Sequence, residues 1–144
     1  MARIKLEVPE KIIAAIKIPV RISDINYGNH VGNDAFVSLV HEARVQWLGL
    51  HNYTELNFAG TALILSELII AFKQESFYGD VVEIKISCGE ITRVGFELYY
   101  QLSTTRNEKI ILLANAKTGM VCYNYQTKKT VSMNDEIKKI FDGE

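Results

Sequence analysis

The stretch Arg21-Ile22-Ser23-Asp24-Ile25-Asn26-Tyr27-Gly28-Asn29-His30-Val31-Gly32-Asn33 decides the reading of this chain. It sets one acid, one histidine, three asparagines and two glycines between an alternating apolar segment and an amphipathic one. Small, polar, turn-forming residues at a strand-to-helix junction make a loop whose backbone can approach a ligand closely. The helix that follows turns its unpaired first N–H groups toward the same place. The chemistry is expected here.

Before the loop, Ala14, Ile16, Ile18, Val20 and Ile22 alternate with Ala15, Lys17, Pro19 and Arg21, the period of a half-buried strand. Pro19 has no N–H for a ladder, so this strand is expected at a sheet edge or with a bulge. After the loop, Phe36, Leu39, Val40, Ala43, Trp47 and Leu50 recur at helical spacing, with Asp34, Ser38, His41, Glu42 and Gln46 elsewhere. Asn33 is the expected N-cap of this amphipathic helix, Asp34 complements its positive start, and Gly49 and Asn52 suit its end.

A polar linker, His51 to Gly60, leads to the apolar run Ala62 to Phe72, which barely alternates and reads as a central strand covered on both faces. Its one acid, Glu67, calls for a cross-strand partner or an outward face rather than catalysis. Ser76 to Asp80 is a turn. Val82 to Cys88 and Val94 to Leu102 alternate as a hairpin, and Ile110 to Tyr125 is a last long strand in which Gly119 signals a bulge or a close backbone approach. Ile137, Ile140 and Phe141 dock a short terminal helix. The expectation is an α+β fold, an antiparallel five-stranded sheet wrapped around one long helix.

With 144 residues, the chain is read as a single domain, 1–144. Its hydrophobic content of 48% and charged content of 23% are those of an ordinary globular protein, not a disordered or fibrous one. A formal charge of -1 gives no general attraction to nucleic acid or to an anionic membrane. Met1 to Lys11 mixes charges with apolar residues, unlike a signal peptide, and the run Thr61 to Phe72 is too short to span a bilayer as a helix. Cys88 and Cys122 lack companions at metal-ligand spacing and read as buried thiols, so the expected location is cytoplasmic, with no metal.

Asp24, then five residues, then His30-Val31, one residue and Asn33, followed by a helix carrying Glu42-Ala43-Arg44, resembles the hotdog-fold thioesterases of the 4-hydroxybenzoyl-CoA thioesterase type. Phe77-Tyr78-Gly79-Asp80 and Ala116-Lys117-Thr118-Gly119-Met120-Val121 extend the resemblance over nearly the whole chain. Departures are Asn26 where a second Asp is common, Asn29 just before His30 where Gly is common, and no proline before Gly79. The enoyl-CoA hydratases of the same fold share Asp24-x-Asn26, but their histidine follows the acid by five residues and a proline follows the Asn.

The resemblance implies an acyl-CoA thioesterase acting on a CoA or acyl-carrier-protein thioester, with no cofactor beyond the coenzyme A of the substrate. It implies Asp24 as nucleophile or as general base, and His30 as its orienter or as pocket wall. Backbone amides from Val31 onward would polarise the carbonyl, with Asn26, Tyr27 and Asn33 around the pocket. Plainer roles compete: Asp24 as an acid closing the turn, His30 as a scaffold residue, Asn33 as a cap. Lys117, Lys128 and Lys129 are candidates for the CoA phosphates or simply solvated lysines. A homo-oligomer, dimer or tetramer, is expected. The alternatives to hydrolysis are a hotdog enoyl-CoA hydratase and a non-catalytic acyl-CoA-binding module.

Overall fold

The computed structural model describes residues 4–142, so residues 1–3 of the opening segment lie outside it. In chain order its elements are β1 (Ala14–Pro19), α1 (Asn33–Leu50), β2 (Ala62–Phe72), β3 (Val81–Ile91), β4 (Gly95–Arg106), β5 (Lys109–Asn124) and β6 (Lys129–Thr130). The strands form one antiparallel sheet in the order β1-β3-β4-β5-β2, with the two-residue β6 clipped to β5. A chain of α+β type results, five main strands against one long helix, as the alternation and the resemblance implied.

The inward face of the sheet is the alternating apolar set: Val82, Ile84 and Ile86 on β3, Leu98, Tyr100 and Leu102 on β4, Ala116, Met120 and Cys122 on β5. Against it α1 presses Phe36, Leu39, Val40, Ala43 and Trp47, all buried. Trp47 packs edge-on against Phe96, its ring centroid 6.2 Å away, and both meet Phe141 from the terminal 3-10 helix Asp135–Asp142. Ile137, Ile140 and Phe141 are thus core residues, joined to the main cluster.

Three details depart from the pattern in the sequence. β2 is a rim strand: it pairs with β5, and among the described residues no strand pairs with its other edge, where the Leu63 N–H donates to the Glu55 carbonyl of the linker. Its lack of alternation reflects half-burial on both faces at the rim, not cover on both. The helix begins one residue earlier than expected, with Gly32 as N-cap, and Asn33 is its first helical residue. β1 stops at Pro19, the last residue paired to β3, and Ile22 belongs to a 3-10 turn. Pro19 does lie on an edge strand, as its missing N–H requires.

Gly119 faces a bulge in β2, where the register slips between Leu65 and Glu67 and the Ser66 hydroxyl donates to the Gly119 carbonyl at 3.0 Å. The tighter approach is at Gly95, where a Cβ would collide with the Met120 carbonyl oxygen.

Candidate active site

The loop between β1 and α1 is built from short local bonds. Ile22–Asp24 makes one 3-10 turn, closed by the Asp24 carboxylate: Oδ2 accepts the Arg21 N–H at 2.8 Å and Oδ1 accepts Arg21 Nη2 at 3.2 Å. Asn26 Oδ1 then accepts the Gly28 N–H at 2.9 Å, an Asx-turn, and Asn29 takes the left-handed conformation at φ 65° that Asn tolerates better than most residues. The Gly32 N–H donates to the Asp24 carbonyl at 3.1 Å, and the Val31 N–H donates to the Ser76 carbonyl at 2.7 Å. One bond joins the acid's backbone to the foot of α1. The other pins the loop to the turn before β3.

That turn is rigid in its own right. Asp80 accepts Arg106 Nη2 at 2.6 Å and Nε at 3.0 Å, the Ser76 hydroxyl at 2.8 Å and the Phe77 N–H at 2.9 Å. Hydrogen bonding by Arg106 comes first among the causes that hold the Asp80 carboxyl at about 2. Neither Asp80 nor Arg106 was singled out by the sequence as a site residue. The readable signal was an acid directly after the Gly79 turn, with an arginine at the far end of a facing strand.

At the start of α1 no side chain supplies a cap, and the first intrahelical bond runs from the Phe36 N–H to the Gly32 carbonyl at 3.1 Å. The N–H groups of Asn33, Asp34 and Ala35 therefore have no intrahelical acceptor, and the helix dipole adds positive potential there. Of these three residues Asn33 lines a cleft of about 410 Å³, whose wall also includes His30, Phe36, Phe72, Lys73 and Arg106. His30 Nδ1 lies 3.2 Å from the Val31 carbonyl, which can only accept. Nδ1 therefore carries the proton, and in the neutral ring Nε2 keeps a free lone pair. Such a site offers oxyanion donors, a nitrogen acceptor and apolar walls.

The family model of the thioesterase-like superfamily matches residues 20–141, from the residue after β1 to the terminal 3-10 helix. The chain belongs to that superfamily. Its solved relatives include a 1,4-dihydroxy-2-naphthoyl-CoA thioesterase from Synechocystis, 22% identical, with a TM-score of 0.78 over 88% of this chain and 93% of that one. A putative thioesterase from Pseudomonas aeruginosa is 18% identical, with a TM-score of 0.80 over 90% and 98%. A 4-hydroxybenzoyl-CoA thioesterase mutant complexed with 4-hydroxybenzoyl-CoA is 12% identical, with a TM-score of 0.78 over 88% and 96%. No curated protein matches the sequence.

Within this thioesterase-like chain the expected site residues divide. His30, Val31 and Asn33 line the cleft together, though the Val31 N–H is already bound to Ser76, so open helix donors begin at Asn33. Asp24 is buried, one backbone bond from the helix foot, but its carboxylate faces Arg21 and does not line the cleft. Asn26 serves the Asx-turn, and Tyr27 stands fully exposed beside it.

The three lysines are elsewhere. Lys117 bridges Glu97 at 2.8 Å and Glu67 at 3.4 Å on the outer face of the sheet, so Glu67 has the cross-strand partner its position called for. Lys128 and Lys129 follow the far end of β5 from the loop: β2 meets Ala114 of β5 at its loop end, at Phe72, and Tyr123 at its other, at Ala62. That end lies roughly 30 Å away along the strand. One chain does not bring these lysines to the cleft.

The thiols offer no nucleophile, since burial pushes Cys88 up to about 11 and raises Cys122 as well. Among the described residues no three His, Cys, Asp or Glu converge to hold a metal ion, and no helix is long and apolar enough to cross a membrane.

Proposed function

We propose that this chain hydrolyses an acyl thioester of coenzyme A, or of an acyl carrier protein, at the cleft where α1 begins. The observation that carries the reading is the uncapped start of α1 beside a cleft, one 3.1 Å backbone bond from Asp24. A thioester carbonyl resting there meets N–H donors that need no reorganisation as charge develops on its oxygen. The acyl-CoA substrates named for two of the structural relatives agree with this class.

Asp24 serves in one of two ways. Its carboxylate adds to the carbonyl carbon, the C–S bond breaks with its electron pair leaving on sulfur, and water then opens the mixed anhydride. Alternatively, Asp24 takes a proton from water as the water oxygen adds to the same carbon. Either route requires Arg21 to swing away. The Arg21 side chain is 63% exposed, and an ion pair so open to water holds weakly. His30 lines the same cleft, and on this reading its Nε2 accepts a hydrogen bond from water or from the thiol.

The site works in a homo-oligomer on this reading. The outer edge of β2 is held by the linker only at Leu63, whose N–H donates to the Glu55 carbonyl at 2.6 Å; beyond it Leu65 and Phe72 are exposed and Leu68, Ile69 and Ile70 half-buried. An open apolar edge of this kind is a template for an identical antiparallel strand, and twofold pairing would satisfy both copies at once. A second reading, an acyl-CoA-binding module without turnover, is favoured by the carboxylate of Asp24 being engaged in closing its own turn. Incubating the purified protein with a panel of acyl-CoAs and a thiol reagent separates the two: released CoA supports hydrolysis, and binding without release supports the module. Loss of the acyl double bond without CoA release would point instead to the hydratase.

A further inference from the structure

A second cleft, of about 350 Å³, lies further along the same face of α1. It begins at Val37, the residue after Phe36 of the first cleft, and is walled by Val40, Leu65 and Leu68. Its floor is polar. Arg44 and Thr118 line it, although both belong to the buried face of their elements, and Arg44 is only 5% exposed.

Arg44 donates Nε to Glu55 at 2.9 Å and Nη1 to the hydroxyl of the fully buried Tyr100 at 3.3 Å, and that hydroxyl lies 2.7 Å from Thr118 Oγ1. Among the described residues no hydrogen bond uses Arg44 Nη2, and that nitrogen is not sealed from solvent. Water meets this donor while the cleft is open, but a group that fills the cleft must accept from it or leave it unpaired. A packing residue alone would not require this arrangement, because a leucine fills such a position without unspent N–H groups.

Reach is set by the helix. Arg44 stands about 16 Å along the axis from Asn33. Helical side chains lean toward the N-terminus, so its guanidinium lies roughly 10 Å from the helix start. The charge is already balanced: Glu55 neutralises Arg44 and also binds His41 Nε2 at 2.6 Å. A carboxylate arriving here would face Glu55 without a counter-charge of its own.

We propose that this second cleft receives the acyl group, and that Arg44 and Thr118, positioned by the Tyr100 hydroxyl behind them, select acyl groups carrying an uncharged oxygen, a hydroxyl or keto group, about 10 Å from the thioester carbonyl. The assignment rests on the proposed binding of an acyl thioester at the start of α1. A hydrocarbon end of equal length leaves the buried donors facing carbon, and sites built around hydrogen bonds reject such analogues strongly.

The test uses hydrolysis-inert acyl-CoA thioethers of one chain length, ending in hydroxyl, methyl or carboxylate, with dissociation constants measured by calorimetry. The wild-type protein is expected to bind the hydroxyl form at least about 10-fold more tightly than the methyl form, and more tightly than the carboxylate form. Thr118→Val and Tyr100→Phe, each checked for native circular dichroism, are expected to compress the hydroxyl-to-methyl ratio to about threefold or less. Two milder variants guard against misfolding of either. Equal binding of hydroxyl and methyl forms by the wild type, a preference unchanged in the folded variants, preference for the carboxylate, or binding of none of the three would each overturn the assignment. Because the probes cannot be hydrolysed, absence of CoA release from ordinary acyl-CoAs counts against the hydrolase reading alone.

Discussion

The Val31 amide donates to the Ser76 carbonyl at 2.7 Å, and through that bond the position of the loop depends on a turn distant in sequence. Ser76 is fixed by Asp80, which is fixed by Arg106.

Asp80→Asn should therefore loosen the loop as well as the turn. Arg106 lowers the Asp80 carboxyl from its ordinary 3.8 to about 2. A folded value below the unfolded one means the stabilisation is complete above about pH 4 and is lost as the pH falls through about 2. The expected cost of Asp80→Asn at neutral pH is about 1–2 kcal/mol, discounted for the partial exposure of Arg106. In urea unfolding the gap between wild type and variant should narrow below about pH 3. A gap independent of pH would show that the charge of Asp80 is not what holds the turn.

Gly95 and Gly119 are predicted to behave differently, though both lie in strands and face a neighbouring strand closely. A Cβ at Gly95 strikes the Met120 carbonyl, a backbone atom that cannot move without breaking the β4–β5 ladder. At Gly119 the nearest atom is the Ser66 hydroxyl oxygen, 2.8 Å away on a side chain that can rotate. Gly95→Ala should abolish or nearly abolish soluble folded protein, whereas Gly119→Ala should fold with a lowered melting temperature. Equal melting temperatures for the two variants would contradict the close approach.

The strand alternation, the stripe of α1 and the core role of Trp47 were legible because each is a local period with one burial outcome. The place of β2 was not, since an apolar strand at a rim and one in a sheet centre read alike and only pairing distinguishes them. The N-cap went to Gly32 because cap geometry depends on where the chain enters the helix, and Asn33 already has helical pairing to make. Arg44 was legible in principle: it stands four residues after Val40 and three before Trp47, on the buried stripe, where a charge demands a partner. Its partners Glu55 and Tyr100 lie on a linker and on β4, and no local pattern announces them.

The rim edge of β2 should carry self-association. Leu65→Lys puts a charge on an exposed apolar position of that edge, a substitution that blunts strand pairing. Light scattering at micromolar concentration is expected to show an oligomer for the wild type and a smaller species for the variant. A monomeric wild type would remove the oligomer from the proposal.

The terminal 3-10 helix is predicted to be structural. Phe141 is 6% exposed, with its ring centroid 4.9 Å from that of Phe96. Phe141→Ala should cost about 3 kcal/mol, at the low end for a buried phenylalanine because the site is near the surface. Urea titration followed by Trp47 fluorescence reads this directly, since Trp47 is the chain's one tryptophan and packs on the same ring. A loss under about 1 kcal/mol would mean that the segment is peripheral.

The decisive variant for the proposed chemistry is Asp24→Asn. It keeps the size of the side chain and an oxygen to accept the Arg21 N–H, so the 3-10 turn should persist. It removes the charge needed to attack carbon or to take a proton from water, and turnover should fall on the order of 10²-fold or more. Binding of an inert acyl-CoA thioether and the oligomeric state should be unchanged. The turn role predicts the reverse: losing the ion pair with Arg21 lowers the melting temperature, while turnover per folded molecule stays near that of the wild type. Measuring turnover and melting on one preparation separates the two, and a folded Asp24→Asn protein with full activity would remove Asp24 from the mechanism.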